Sequence, residues 1–447
     1  MQPGKITERI PMDRWLMIVT CCLILTGFCM VYSSTAIIMP LKQSGNSENL
    51  IQLHDLKKQG ISLFIGLICM LTAIKINLRT LKNNAVLILI GVFILLILVL
   101  IPHIGTSTKG AQRWIKYGFI SIQPSELSKL AMIIFLARYL SSAYFRTDRA
   151  GSFILPIIVM LMTQGLLMLQ PDFGTSAIIG VLTITLLYAS GARLRYILSL
   201  LVVIVPVAIK LIMEPYRLGR IIAYLNPWAD PSKSGFQLIQ SLYAIGIGGF
   251  DGVGIGKSTQ KLAYLPESRT DFIFSIIAEE TGLIGSLMVL GLFVFLFIRG
   301  LMIIKRSADK FSFFLAIGIT YMIVVQAIIN ISVVSGLLPT KGLALPFISY
   351  GGSSLIVNMI AVGILLNISG NGTYTSFDEN NMPDDNDKKI SNGIWANGFA
   401  RLLNISSKTL STIEMSDMKN DPLERFHAFK KNLNQRLNFF NNTRTSK

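Results

Sequence analysis

The chain has 447 residues, of which 52% are hydrophobic and 15% charged, with a net charge of +17 and a mean hydropathy of +0.57. A water-soluble domain carries roughly 25% charged residues, so this composition excludes one. The charges fall in short clusters between apolar runs, so the positive excess is assigned to membrane-surface anchoring, a basic tail and an anionic substrate, and not to nucleic acid.

Residues 1–14 hold Lys5, Arg9 and Arg14 and are expected to be a cytoplasmic N-terminal segment. The apolar run that follows is too long for a signal-peptide core and reads as a retained first helix. Ten candidate spans follow the hydropathy: 15–38, 59–76, 84–103, 124–142, 151–169, 174–190, 195–213, 271–298, 311–335 and 349–369. Each reaches or approaches the ~20 residues needed to cross hydrocarbon. Helices are expected because backbone groups in lipid must be satisfied within their own segment. The predicted fold is therefore all-α and polytopic, with a large extracytoplasmic loop, 214–270, between the seventh and eighth helices.

Lys and Arg crowd the connections on the N-terminal side, at Lys75, Arg79, Lys82, Arg138, Arg146, Arg149, Arg193, Arg195, Arg299, Lys305, Arg306 and Lys310. The positive-inside rule then puts both termini in the cytoplasm. Residues 370–447 are rich in Asn, Asp, Lys and Ser, and are expected to be a mostly disordered cytoplasmic tail with a basic amphipathic helix near 423–440. Cys21, Cys22, Cys29 and Cys69 lie inside apolar runs without metal-ligand spacing, and are expected to be buried inert thiols.

Polar residues collect on the outer side. Glu126 and Lys129 open the fourth span three residues apart, on one helical face. They fit either a structural ion pair or a polar pair lining a cavity. Asp172 precedes the sixth span, where a helix cap and a cavity carboxylate are both open readings. Arg217 and Arg220 are spaced to present two guanidinium groups on one face, suited either to phosphate oxygens or to snorkelling at the membrane interface. The glycine-rich run from Gly246 to Gly256 resembles a phosphate loop only at a glance, because Asp251 stands where glycine is required. It is expected to be flexible backbone near a lipid headgroup.

Asp271 follows Lys261, Glu267 and Arg269 at the start of a long apolar helix. Acidic residues favour helix N-termini, which is one account of it. The other is a general base taking a proton from a hydroxyl beside an anionic leaving group. Glu279 and Glu280 lie two turns deeper, and at least one is expected to face the bundle interior. Residues 338–354 are broken by proline and glycine, which suits backbone lining a cavity.

Seven segments in chain order resemble the SEDS family of bacterial cell-wall glycosyltransferases. They are Gly110-Ala-Gln-Arg-Trp-Ile115, Gln123-Pro-Ser-Glu126, Gln170-Pro-Asp-Phe-Gly-Thr175, Asn226-Pro-Trp-Ala-Asp230, Tyr264-Leu-Pro-Glu267, Thr270-Asp-Phe-Ile-Phe274, and Gly336-Leu-Leu-Pro-Thr-Lys-Gly-Leu343 with Ile348-Ser-Tyr-Gly-Gly-Ser-Ser354. The resemblance implies ten helices, polymerisation of lipid II onto a growing glycan chain at the inner membrane, and a class B penicillin-binding protein as partner. Lys341 after Pro-Thr looks more like the division enzymes, which implies a septal location and other division proteins, whereas Gln112 departs from their usual arginine. Asp271 is the implied catalytic residue. The expected substrate-binding set is Arg217, Arg220, Gln237, Lys261, Glu267, Arg269, Arg113, Trp114 and Lys341. Glu126, Lys129, Asp172, Glu279, Ser349 and Tyr350 are the expected cavity-lining or structural polar residues. No protein motif for a cofactor or metal is visible, so any Mg²⁺ or Mn²⁺ is expected to ride on substrate diphosphate. A lipid-linked precursor transporter and the elongation-type polymerase are the alternatives.

Overall fold

The computed structural model describes residues 12–36, 47–108, 111–117, 120–147, 149–193, 195–196, 198–199, 202, 213, 215–232, 234–261 and 265–371. The expected tail and most of the expected seventh span lie outside these residues. The helices are α1 (Arg14–Ala36), α2 (Ser47–Lys75), α3 (Leu78–Asn83), α4 (Ala85–Leu100), α5 (Pro124–Leu140), α6 (Gly151–Leu169) and α7 (Phe173–Ala189). They continue with α8 (Pro215–Leu225), α9 (Phe236–Gly248), α10 (Ile273–Lys305), α11 (Lys310–Val334) and α12 (Gly352–Gly370).

Six of these, α1, α2, α6, α10, α11 and α12, are long and apolar enough to cross a bilayer. α4 and α7 are shorter apolar helices in expected spans. The 17-residue α5 carries Glu126 and Lys129 near its start and Arg138 in its last turn, with an apolar stretch between. The protein is a polytopic helical membrane protein. Hydroxyls inside its helices bond back to the preceding turn, as Thr20 does to Leu16 O, Thr163 to Val159 O and Thr183 to Ile179 O. This satisfies a polar group without an outside partner.

The most extensive helix pair is α2 with α12. Glycines let the backbones close: a Cβ on Gly363 would lie 2.5 Å from Met70 O. Asn367 then donates to Ala73 O and Ile76 O at the end of that seam. α5, α11 and α12 form the buried centre of the bundle. Asp13 at the start of α1 accepts from Arg299 of α10, and its amide bonds Ser369 of α12, so the chain enters and leaves the bundle on one side.

Two features depart from the sequence reading. Between α4 and α5 the chain folds into a three-stranded antiparallel sheet, β1 (Gly105–Thr108), β2 (Ala111–Tyr117) and β3 (Ile120–Ile122). These strands are three to seven residues long, too short for periodicity to distinguish from an irregular outer connection. Cys21 and Cys29 are exposed on α1 and not buried. An apolar run identifies a membrane helix but does not say which of its faces meets neighbours.

Candidate active site

Asp271 sits in the turn that enters α10. Glu267 builds that turn. Its positive φ of 57° lets its carbonyl accept from Thr270 N at 3.1 Å and Phe272 N at 3.2 Å. Its carboxylate accepts from the Thr270 hydroxyl at 2.8 Å. The loop between α11 and α12 buttresses the turn from the other side. Tyr350 N donates to Arg269 O at 2.9 Å, and Ser349 Oγ donates to Thr270 O at 2.5 Å. Ser349 Oγ also accepts from Leu345 N. Ser349 and Tyr350 thus hold the Asp271 turn through its backbone.

Two amides on α11 complete this support. Asn330 Nδ2 donates to Asp271 O at 2.8 Å and Leu343 O at 2.6 Å. One turn earlier, Gln326 Nε2 donates to Ala344 O at 2.8 Å. Gln326 Oε1 accepts from Lys129 Nζ at 2.7 Å, and Lys129 pairs with Glu126 at 2.9 Å. A buried chain of polar contacts therefore runs from α5 through α11 to the loop facing Asp271. Glu126 and Lys129 form a buried ion pair. Gln326 and Asn330 are absent from the residues singled out by the sequence reading, although two amides four residues apart in an apolar span are a legible signal.

Three consecutive residues of that loop gather the rest of the site. Thr340 O accepts from Arg220 Nη1 of α8 at 3.2 Å. Lys341 Nζ lies 4.6 Å from the centroid of the Phe173 ring. Gly342 faces the candidate base, and a Cβ there would lie 3.0 Å from Asp271 Oδ2. One carboxylate, one guanidinium and one ammonium thus share a short stretch of backbone. Burial lowers the pKa of Lys341 below its usual value of 10.5. The side chain of Arg217 lies outside the described residues. Gln237 is half-buried one turn before Ser241, which bonds Ser275 of α10 and Val334 O of α11 and so docks α9 onto both.

Other expected site residues are committed to structure. Lys261 is buried, 2.6 Å from Glu280 Oε1, and also donates to Ser33 O and Oγ of α1 at 3.1 Å. Glu279 accepts from Ser258 Oγ, from Thr259 N at 2.8 Å and from Thr259 Oγ1 at 3.0 Å. Both glutamates are fully buried, and they pin the end of the outer loop onto α10. Asp172 caps α7 through Thr175 N and Oγ1. Arg113 donates Nε to Gln170 O at 2.9 Å and Nη2 to Pro171 O, which ties the sheet to the α6–α7 corner. Trp114 is half-buried, and its carbonyl accepts from Thr106 Oγ1 across the sheet.

The backbone of the glycine-rich run packs against α10, while Phe250 and Ile255 within it stay exposed. α10 is interrupted at Gly282, where φ is 66°. The chain from Gly249 to Gly254 inserts there. Val253 N and Gly254 N donate to Glu279 O and Glu280 O at 3.0 Å, while Gly249 O accepts from Leu283 N at 2.9 Å. Cβ atoms at Gly252 or Gly282 would strike opposing backbone at 2.3–2.4 Å. Glycine is needed here for close approach.

A polytopic helical bundle that presents a carboxylate beside fixed cations at one membrane boundary has the form of a membrane enzyme acting on a charged, lipid-borne substrate. The family model for FtsW, RodA and SpoVE, described as a cell cycle protein, matches residues 14–374. The chain belongs to this family. It is 43% identical over 363 residues, 80% of this chain and 94% of the relative, to "Probable peptidoglycan glycosyltransferase FtsW" of Geobacter metallireducens. It is 41% identical over 370 residues, 82% of this chain and all of the relative, to "Stage V sporulation protein E" of Bacillus subtilis. Among solved structures, a chain from a peptidoglycan synthase complex that coordinates polymerization and crosslinking superposes with a TM-score of 0.66 at 29% identity, covering 80% of this chain and 97% of that one. Thermus thermophilus RodA superposes with a TM-score of 0.59 at 25% identity, covering 80% and 96%.

Proposed function

We propose that this peptidoglycan glycosyltransferase polymerises lipid II into glycan strands at the outer face of the cytoplasmic membrane during cell division, with Asp271 as general base. The observation that carries the assignment of Asp271 is its carboxylate against Gly342, in the stretch that also meets Arg220 and positions Lys341 over Phe173.

In this reading the acceptor sugar's hydroxyl gives its proton to Asp271 as its oxygen attacks the anomeric carbon of the lipid-linked chain. The new glycosidic bond forms as the bond to diphosphate breaks, with inversion. Negative charge then grows on the leaving diphosphate, where fixed cations lower the barrier. Arg220 and Lys341 are our candidates for that task, and Arg217 is kept as a third on its sequence spacing alone. Lys261 is held in its pair with Glu280, so anion stabilisation falls to the other cations. Gln237, Glu267 and Arg269 shape the surrounding wall.

Among the described residues no group of three or more His, Cys, Asp or Glu side chains converges to hold a metal ion. Glu279 and Glu280 are engaged by hydroxyl, amide and ammonium donors, so neither joins Asp271 as a ligand carboxylate.

The basic N-terminal-side connections favour cytoplasmic termini and an outward-facing Asp271. A class B penicillin-binding protein as cross-linking partner fits the likeness to the synthase complex. The test is purified protein in liposomes, supplied with that partner and labelled lipid II. Growth of glycan chains is expected. Movement of lipid II across the bilayer without chain growth would overturn the reading in favour of a transporter.

A further inference from the structure

On the side of the bundle where the chain enters and leaves, a cavity of about 780 Å³ opens between the end of α2, α3, the start of α11 and the end of α12. It falls within the ~300–1,000 Å³ range of small-molecule sites. Nothing in the glycosyltransfer reaction uses it, since Asp271 lies at the opposite ends of α10, α11 and α12.

We infer that this cavity binds the anionic headgroup of a membrane phospholipid, held by Lys75, Arg79 and Lys82. All three residues line it. Arg79 and Lys82 are three apart on α3 and share a face, while Lys75 closes the last turn of α2. Among the described residues none of the three is in an ion pair, either with Asp309, which also lines the cavity, or with another carboxylate. Lys82 Nζ stands 5.9 Å from the Phe311 ring centroid, which holds its ammonium at the cavity wall. Three unmatched cations around one concavity favour a phosphate group.

The position of the cavity favours a lipid over a free phosphate compound. It lies at the end of a membrane-crossing helix, where α2 keeps most of its apolar surface outside the bundle. Its lining includes Ile76, which is 41% exposed, beside the cations. Apolar surface and positive charge meet there as glycerol and phosphate meet in a phospholipid. Basic pockets between transmembrane helices at a bilayer boundary take lipid headgroups of this kind.

The test uses the full chain in neutral detergent, titrated with short-chain phosphatidylglycerol or phosphatidylcholine, with bound lipid counted by native mass spectrometry. Phosphatidylglycerol is expected to bind preferentially. Replacing Lys75, Arg79 and Lys82 together by Gln should weaken it by about fivefold for each cation removed. Lys310→Gln, a cation at the same boundary outside the cavity lining, should leave it unchanged. If the triple variant does not fold, Arg79→Gln alone, at an exposed side chain, should show about a fivefold loss. Unchanged binding in the cavity variants, or an equal loss with Lys310→Gln, overturns the site. Displacement of the lipid by glycerol phosphate at equal concentration overturns the lipid assignment. Glycan synthesis is not the readout, so the outcome is independent of the role of Asp271.

Discussion

Asn330 grips Asp271 by its backbone and not by its carboxylate: Nδ2 donates to Asp271 O at 2.8 Å and also to Leu343 O at 2.6 Å. One buried amide therefore fixes the distance between the Asp271 turn and the loop that carries Lys341 and Gly342. Asn330→Leu keeps the volume and removes both bonds. Each acceptor left without a partner costs about 1–3 kcal/mol. The expected result is a lower unfolding temperature in detergent together with a fall in kcat for chain growth. Normal kcat in this variant would separate the amide from catalysis.

Gly342→Ala tests the closeness of the loop to the carboxylate. Its Cβ would stand 3.0 Å from Asp271 Oδ2, so the carboxylate must shift by a few tenths of an ångström. Misplacement approaching 1 Å costs on the order of 10²-fold in rate. Glycan synthesis is expected to fall by about tenfold or more on that basis, with thermal stability nearly unchanged. Gly219→Ala, where a Cβ meets nothing within 4 Å, is the matched control.

Lys341 sets a pH dependence. Burial lowers its pKa from 10.5, so the folded protein loses this proton at a lower pH than the unfolded chain does. Between those two values the unfolded chain binds more protons, and the group's contribution to stability rises with pH through that window. Its charge falls through the same window. The kcat/KM of polymerisation is expected to decline on the alkaline side below pH 10.5. Lys341→Arg, charged at every accessible pH, should move that limb upward. An unmoved limb would assign it to another group.

Lys261 and Glu280 form a fully buried pair, so their single replacements should damage the fold before the chemistry. Breaking such a pair on one side costs about 3–5 kcal/mol by leaving an uncompensated buried charge. Lys261→Met and Glu280→Gln are each expected to destabilise strongly, and the double replacement to recover much of the loss. Thermal unfolding in a double-mutant cycle measures this. Additive losses would mean the two residues act separately, and a pure KM effect of Lys261→Met would return that lysine to the substrate.

The bundle is legible in the chain because a helix in lipid must be long and apolar, and its boundaries follow from clustered charge. The same rule cannot reveal sidedness within the helices, which is why Cys21 and Cys29, expected inside, lie exposed. The turn at Asp271 is legible from its charges and breakers. Which charges are already paired within the fold is not, because Lys261 meets Glu280, a partner nineteen residues away whose approach depends on how the loop folds back. Gly252 and Gly282 carry the same lesson. Their closeness arises from the break in α10, and no local pattern distinguishes glycine for backbone contact from glycine for mobility.

The most direct measurement is chain growth from labelled lipid II by the Asp271→Asn variant, reconstituted with its cross-linking partner beside the unaltered protein. Asparagine keeps the size of the side chain and removes the base. The expected result is a rate lower by on the order of 10²–10⁴-fold, with lipid II binding and unfolding temperature retained. Glycan chains formed at the unaltered rate would contradict the account.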